Sequence, residues 1–165
     1  MKRLGILFAA ITVAATAALA GPPWISVELP ANPFDRTTRG AFIIVHTYHH
    51  DLAVPYQVVG TAEGLVNGQR RSVPLTLTPT GQTGAFAIAK SWSSDGVWVL
   101  TLGVDGVELG AAVGVGADGQ VAFVRVPVNR QGFPRNLAHA EVELLLRALA
   151  AGQPAPALQA AGSAQ

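Results

Sequence analysis

Apolar and polar residues alternate in short runs along most of the chain between positions 24 and 129. The clearest run is residues 73–78, in which Val73, Leu75 and Leu77 share one face and two threonines lie on the other. This alternation is typical of strands with one buried and one solvated face. We therefore predict eight strands, near residues 24–29, 40–48, 55–64, 69–78, 84–91, 97–104, 107–115 and 120–128.

The predicted strands are separated by dipeptides that favour tight turns, namely Asn67-Gly68, Asp95-Gly96, Asp105-Gly106 and Asp118-Gly119. Their residues tolerate the positive φ of type I′ hairpin turns, which indicates sequential antiparallel hairpins. Short strands at this spacing, with no helix between them, predict an all-β sandwich or barrel of seven to eight strands over residues 21–130. Pro74 places its strand at a sheet edge, because proline donates no ladder hydrogen bond.

The pattern changes after Pro134, where apolar residues recur with helical spacing. We predict a C-terminal helix over residues 136–151, capped by Asn136 and carrying an apolar stripe of Val142, Leu145, Leu146 and Leu149. The stripe favours docking on one end or open edge of the sandwich, and the alternative is a detachable helix that binds a groove on a partner. Residues 152–165 are predicted to be disordered.

Three segments resemble a known architecture: Val73-x-Leu75-x-Leu77-x-Pro79, Gly84-x-Phe86-x-Ile88 and Asp95-Gly96-x-Trp98-x-Leu100-x-Leu102. Together they are similar to the C-terminal half of exported bacterial immunoglobulin-like domains, such as the copper-resistance-C-like and YtkA-like groups. The resemblance implies an immunoglobulin-like β-sandwich with the Trp98 indole in its core. Copper-binding members use an N-terminal histidine or methionine-rich sites. The expected mature chain has neither, so the resemblance implies architecture alone.

The first twenty residues have the features of a signal peptide. Met1-Lys2-Arg3 is followed by an uncharged stretch and then by Ala18-Leu19-Ala20, a small-x-small cleavage pattern. We expect cleavage after residue 20 and export of the mature chain to the periplasm or the exterior, with no membrane anchor left. The alternative is an uncleaved anchor, for which the apolar run is short compared with the ~20 residues of a membrane span.

The net charge narrows the classes of expected partner, and the cysteine content indicates what stabilises the fold. Cleavage removes Lys2 and Arg3, so nine basic residues remain against ten acidic ones. Without a basic patch, nucleic acid and anionic lipid are excluded as expected partners. The chain has no cysteine, so its stability must come from the hydrophobic core and not from disulfides.

The most suggestive chemistry lies in one pentapeptide, which holds three of the four histidines. His46, His49 and His50, with Asp51 beside them, carry ligand types that suit zinc, copper(II) or nickel. His46 and His49 point to opposite faces of a straight strand, so a shared transition-metal ion requires a bend near Tyr48. The alternative is that these are solvent-facing or hydrogen-bonded loop histidines.

No catalytic constellation is present in the sequence, which has neither a cysteine nor a Gly-x-Ser-x-Gly motif. We therefore predict a protein that is not an enzyme and has no cofactor, acting as an exported binding or accessory module for an envelope or secreted protein. The alternative function is a periplasmic metal-binding protein that uses the histidines. A further alternative is a sugar-stacking surface of Trp24, Trp92 and Trp98.

Overall fold

The computed structural model describes residues 23–158 except 30, 31 and 33, and the predicted signal peptide lies outside them. The described residues form ten strands, one α-helix and a short 3-10 turn at Arg36–Thr38. The elements are β1 (Trp24–Glu28), β2 (Ala41–His49), β3 (Leu52–Ala53), β4 (Val58–Val66), β5 (Gln69–Pro74), β6 (Leu77–Pro79), β7 (Ala85–Ala89), β8 (Val97–Val104), β9 (Val107–Val115), β10 (Val121–Arg125) and α1 (His139–Ala150).

The strands form two five-stranded antiparallel sheets. Sheet A has the order β1-β2-β7-β6, with β3 also paired to β2, and sheet B has the order β10-β9-β8-β4-β5. Their inner faces share one core, to which sheet A contributes Val45 and Ile88 and sheet B contributes Leu100 and Val113. The predicted all-β fold with antiparallel strands and one helix is confirmed.

The described chain has more strands than the seven to eight expected, partly because the predicted strand 69–78 is two strands. β5 ends at Pro74, which pairs with Thr61 of β4 in sheet B, and β6 begins at Leu77, which pairs with Ile88 in sheet A. The chain therefore crosses between the sheets at residues 75–76. Leu75 stays in the shared core during the crossing, so the alternation of side chains continues unbroken.

Turn chemistry defines the hairpins of sheet B. Asn67 and Gly68 have φ of 50° and 74°, as a type I′ turn requires, and they join β4 to β5. At the other three predicted turns only the glycine has positive φ. β8 and β9 have the predicted bounds, and β5 with Pro74 is an edge strand, as predicted.

Helix α1 packs on the outer face of sheet B, not on an end or edge of the sandwich as expected. Its buried Leu145 and Leu146 join a second core, here called the helix-side core, with Val97, Val99 and Phe123 of sheet B. Central strands of this sheet are apolar on both faces, and such strands need a cover on each side. No helix in the described ranges is long and apolar enough to cross a membrane.

The helix begins three residues later than the predicted cap at Asn136. Its N-cap is Ala138, whose backbone N–H donates to Glu141 Oε2 at 2.9 Å. Glu141 thus caps the helix in place of the Asn136 side chain. Of the segment predicted to be disordered, residues 153–158 lack helix or strand, and Ala155 and Leu158 pack against the helix-side core. Its remainder, 159–165, lies outside the described residues.

Candidate functional site

The structure places His46 on the outer face of sheet A. Its Nε2 lies 3.2 Å from Glu28 Oε2 of the neighbouring strand β1. The Tyr48 ring is next on the same face, with its centroid 6.2 Å from that of His46, and Trp24 stacks on Tyr48 at 4.3 Å. His46 is therefore held between a carboxylate and an aromatic ring.

His49 and His50 lie together at the end of β2, with ring centroids 4.3 Å apart. A metal ion shared by His46 and His49 requires a bend near Tyr48, but β2 continues through Tyr48 to His49, and the chain bends only afterwards, at His50 and Asp51, which have φ of 51° and 60°. The bend brings these two imidazoles together, while His46 pairs with Glu28. Among the described residues no group of three or more His, Cys, Asp or Glu is arranged to hold a metal ion. Metal binding by His46, His49 and His50 stays a prediction.

The alternative prediction of a sugar-stacking surface made of three tryptophans is wrong. Trp92 and Trp98 both lie in the shared core, and only Trp24 is substantially exposed. The Trp98 indole N–H donates to the Asp95 carbonyl oxygen at 3.0 Å. The tryptophans of β8 and of the segment before it therefore stabilise the fold and offer no ligand surface.

A concave site lies on sheet B, where α1 covers only part of the outer face. The uncovered part forms an open cleft of about 750 Å³ beside the helix, which we call the helix-flanked cleft. Its walls come from β4, from the hairpin of β8 and β9, and from the chain that enters α1. The lining residues are Val59, Gly60, Thr61, Glu63, Thr101, Leu102, Gly103, Val104, Asp105, Gly106, Val107, Glu108, Asn136, Leu137, His139 and Val142.

The floor of the cleft has no side chain at Gly103, and the residues around this position are apolar. Gly103 has no side chain, and a Cβ there would lie 3.7 Å from the nearest atom, the Leu109 carbonyl oxygen. Val59 is 49% exposed, although it lies in a strand. Leu137 and Val142 form the wall on the helix side. An apolar surface is therefore open to solvent in the middle of a sheet face.

One side of the cleft is a hydrogen-bonded network centred on Glu63. The Thr61 hydroxyl lies 2.9 Å from Thr101 Oγ1 and 2.9 Å from Glu63 Oε1. The Ser72 hydroxyl donates to Glu63 Oε1 at 2.7 Å, and Arg70 Nη2 lies 3.3 Å from Glu63 Oε2. The Glu63 carboxylate is therefore already engaged by its own neighbours.

Arg70 links this network to the helix. Its Nε donates to Glu143 Oε1 at 2.9 Å, and its Nη1 donates to the Gly64 carbonyl oxygen at 2.8 Å. His139 Nε2 lies 3.7 Å from the same Glu143 oxygen. These contacts connect the hairpin of β4 and β5 to the first turns of α1, so they hold the helix along one border of the cleft.

The other border ends in two carboxylates at the turn between β8 and β9. Asp105 and Glu108 are exposed, and within the described chain neither carboxylate has a hydrogen bond or ion pair. Glu141 of α1 behaves differently, because it forms a bidentate pair with Arg135 at 2.6 and 2.7 Å. That hydrogen bonding lowers the pKa of Glu141 and raises the pKa of Arg135.

Sequence reasoning missed the helix-flanked cleft because three distant segments form it. The available signals were an apolar Val59 on a face that also carries Thr61 and Glu63, and Gly103 inside a predicted strand. Glycine in a strand can mark close approach by another group. No protein-family model, curated protein or solved structure matches this chain.

Proposed function

We propose that this protein is an exported, non-enzymatic binding module whose ligand occupies the helix-flanked cleft. The observation that carries the proposal is that α1 leaves part of the outer face of sheet B uncovered and borders a cleft of about 750 Å³ there. Ligand pockets in proteins are typically ~300–1,000 Å³ and combine apolar walls with a few polar groups. The exposed Val59, the bare Gly103 and the polar borders match that description.

Export and the lack of enzymatic activity rest on the sequence. The leader-like residues 1–20 support secretion, and the absence of a cysteine or nucleophile motif supports a role in binding. The expected partner is an envelope or secreted protein, which the mature chain would meet after cleavage.

The immunoglobulin-like identity of the sandwich is part of the same proposal. Its support is the resemblance of residues 73–102 together with Trp98, which is 2% exposed in the shared core. The chain also changes sheet at residues 75–76 between two edge strands. An experimental structure with a strand order unlike that of immunoglobulin-like domains would remove this part of the proposal.

The cleft is tested by NMR on mature protein, residues 21–165, titrated with hexanol as a neutral apolar probe. We expect amide shifts that cluster at Val59, Gly103 and Val142. Gly103→Val should abolish them, because the valine side chain would occupy the space above the floor of the cleft, from a backbone position with room for a Cβ. Ala122→Val adds two methyl groups at an exposed strand position outside the cleft and should leave them unchanged. Shifts that cluster elsewhere, or survive in Gly103→Val, would contradict the proposal.

Metal binding is the second candidate function, and the adjacent rings of His49 and His50 favour it. Two imidazoles supply part of a zinc or copper(II) site, and Asp51 is the next residue along the chain. Isothermal titration of mature protein with zinc should then show binding that disappears in the variant His49→Ala/His50→Ala. His46→Ala tests whether the histidine beside Glu28 takes part. Equal metal affinity in wild type and the double variant would reject this function.

A further inference from the structure

We infer that the ligand of the helix-flanked cleft carries an organic cation, an ammonium or guanidinium group, on an apolar chain. This inference rests on the proposed function, since it assumes that the cleft binds a ligand, and it adds the chemical class. It is drawn from the charges that line the cleft, from the state of the neighbouring arginines and from the apolar floor.

The first argument is the charge of the lining. None of the described lining residues is lysine or arginine, while three are carboxylates, Glu63, Asp105 and Glu108. Glu63 is engaged by Thr61, Ser72 and Arg70. Asp105 and Glu108 are therefore the charged groups left to meet a ligand, and they attract a cation.

The second argument concerns the basic groups nearby, which could neutralise these carboxylates. Arg70 is occupied by Glu63, Glu143 and the Gly64 carbonyl oxygen. Arg135 is paired with Glu141. Each arginine thus has its own acidic partner, and the excess negative charge at the mouth of the cleft remains.

The start of α1 borders the cleft, and a helix N-terminus favours anions. Here that preference is already satisfied by the protein. Glu141 Oε2 accepts the Ala138 N–H, and Glu143 lies one turn into the helix beside the exposed His139. An anionic ligand would meet these carboxylates as well as Asp105 and Glu108. The helix end therefore does not reverse the preference for a cation.

The third argument is the apolar floor beneath the charged mouth. Val59 and the half-buried Leu137 present hydrocarbon, and Gly103 leaves space above the sheet. A small hydrated metal ion gains nothing from such a surface, whereas an alkyl chain buries apolar area on it. Lysine and arginine side chains, and free alkylamines, combine this chain with a cationic end.

The test compares hexylamine, hexanol and hexanoate, which share an apolar chain and differ in charge. We expect hexylamine to bind the cleft about three- to tenfold more tightly than hexanol, as two exposed ion pairs allow, and hexanoate to bind more weakly than hexanol. The variant Asp105→Asn/Glu108→Gln should remove the advantage of hexylamine and keep hexanol binding, and added salt should reduce that advantage in wild type. NMR titration supplies the dissociation constants and the location of each probe.

The outcomes separate the two proposals. If no probe shifts cleft amides in wild type, the cleft is not a binding site and the proposed function fails. If hexanol binds and hexylamine binds no better, or if the charge-removing variant keeps the preference, only the cation inference fails. The peptide acetyl-Val-Lys-Val-amide tests the source of the cation. Binding that depends on Asp105 and Glu108 supports a protein side chain, and binding by hexylamine alone supports a free amine.

Discussion

Replacing Gly64 by alanine tests how closely the Trp98 ring of β8 packs against the backbone of β4. Gly64 pairs with Trp98 across β4 and β8, and a Cβ on it would lie 2.5 Å from two atoms of the indole. Trp98 is 2% exposed and its N–H is bonded to the Asp95 carbonyl oxygen, so the ring has little room to move. Overpacking of this kind typically costs about 1–3 kcal/mol.

Gly103→Ala is the matched control. It makes the same change in the neighbouring strand β8, where the new Cβ would have ordinary contacts at 3.7 and 3.8 Å. Replacing glycine by alanine also reduces the conformational entropy of the unfolded chain, which stabilises a protein by about 0.4–1 kcal/mol. This contribution is common to both variants, so it cancels in their difference. Gly64→Ala should therefore be about 1–3 kcal/mol less stable than Gly103→Ala.

The assay is equilibrium unfolding in urea at 25 °C, followed by tryptophan fluorescence and by circular dichroism. The free energy of unfolding should fall with urea concentration at the same slope in wild type and both variants, so that differences between the unfolding midpoints report differences in stability. The indole N–H signal of Trp98 in NMR spectra should also move in Gly64→Ala and stay in place in Gly103→Ala. Equal stability of the two variants would refute the reasoning, because Trp98 would then not lie over Gly64.

Three further changes probe the helix and the core. Leu145→Ala should lower the free energy of unfolding by about 2–5 kcal/mol, because the Leu145 side chain is fully buried in the helix-side core. Leu144 is exposed, so Leu144→Ala should change this free energy by less than about 0.5 kcal/mol in the same urea assay. The hydrogen bonds from Arg135 lower the pKa of Glu141, so the ionised Glu141 carboxylate stabilises the protein at pH values above the ordinary pKa of a glutamate. Glu141→Gln should therefore be less stable than wild type at pH 7. That difference should disappear as the pH falls through the lowered pKa, and a constant difference across a pH series of urea titrations would contradict the assignment. Thr47→Val removes a buried hydroxyl that donates to a backbone carbonyl oxygen at 2.6 Å, and thermal and urea unfolding should show a loss of about 1 kcal/mol.

Strands bounded by turn residues were predictable. Gly96, Gly106 and Gly119 have positive φ, and the two strands between them, β8 and β9, have the predicted bounds. A glycine that must adopt positive φ marks the end of a strand directly in the sequence. The bounds of β8 and β9 can therefore be predicted from the local sequence alone.

The crossing between sheets was not predictable from the alternation of side chains. Val73, Leu75 and Leu77 all contact the shared core, although β5 belongs to sheet B and β6 to sheet A. A chain that passes from one sheet to the facing sheet keeps its apolar side inward throughout. The pattern reports which side is buried and carries no information on which sheet is joined.

The position of the helix and the existence of the cleft depend on contacts between distant segments. Residues 97–100 and 109–115 are almost continuously apolar or glycine, a pattern typical of strands buried on both faces. That pattern indicates a cover on sheet B, but the extent of the cover depends on where Arg70 and Glu143 attach α1. The histidine cluster shows the same limit, since the partner of His46 is Glu28 from another strand.

Helix α1 is the last regular element of the described chain, and this order affects biosynthesis. Without α1, Val97, Val99 and Phe123 would present an apolar surface on the outer face of sheet B. A chain interrupted before residue 139 would keep that surface exposed, and exposed apolar patches on partly folded proteins promote aggregation and capture by chaperones. Synthesis of residues 139–150 is thus needed to conceal this surface, so products truncated before them are expected to be removed before they accumulate.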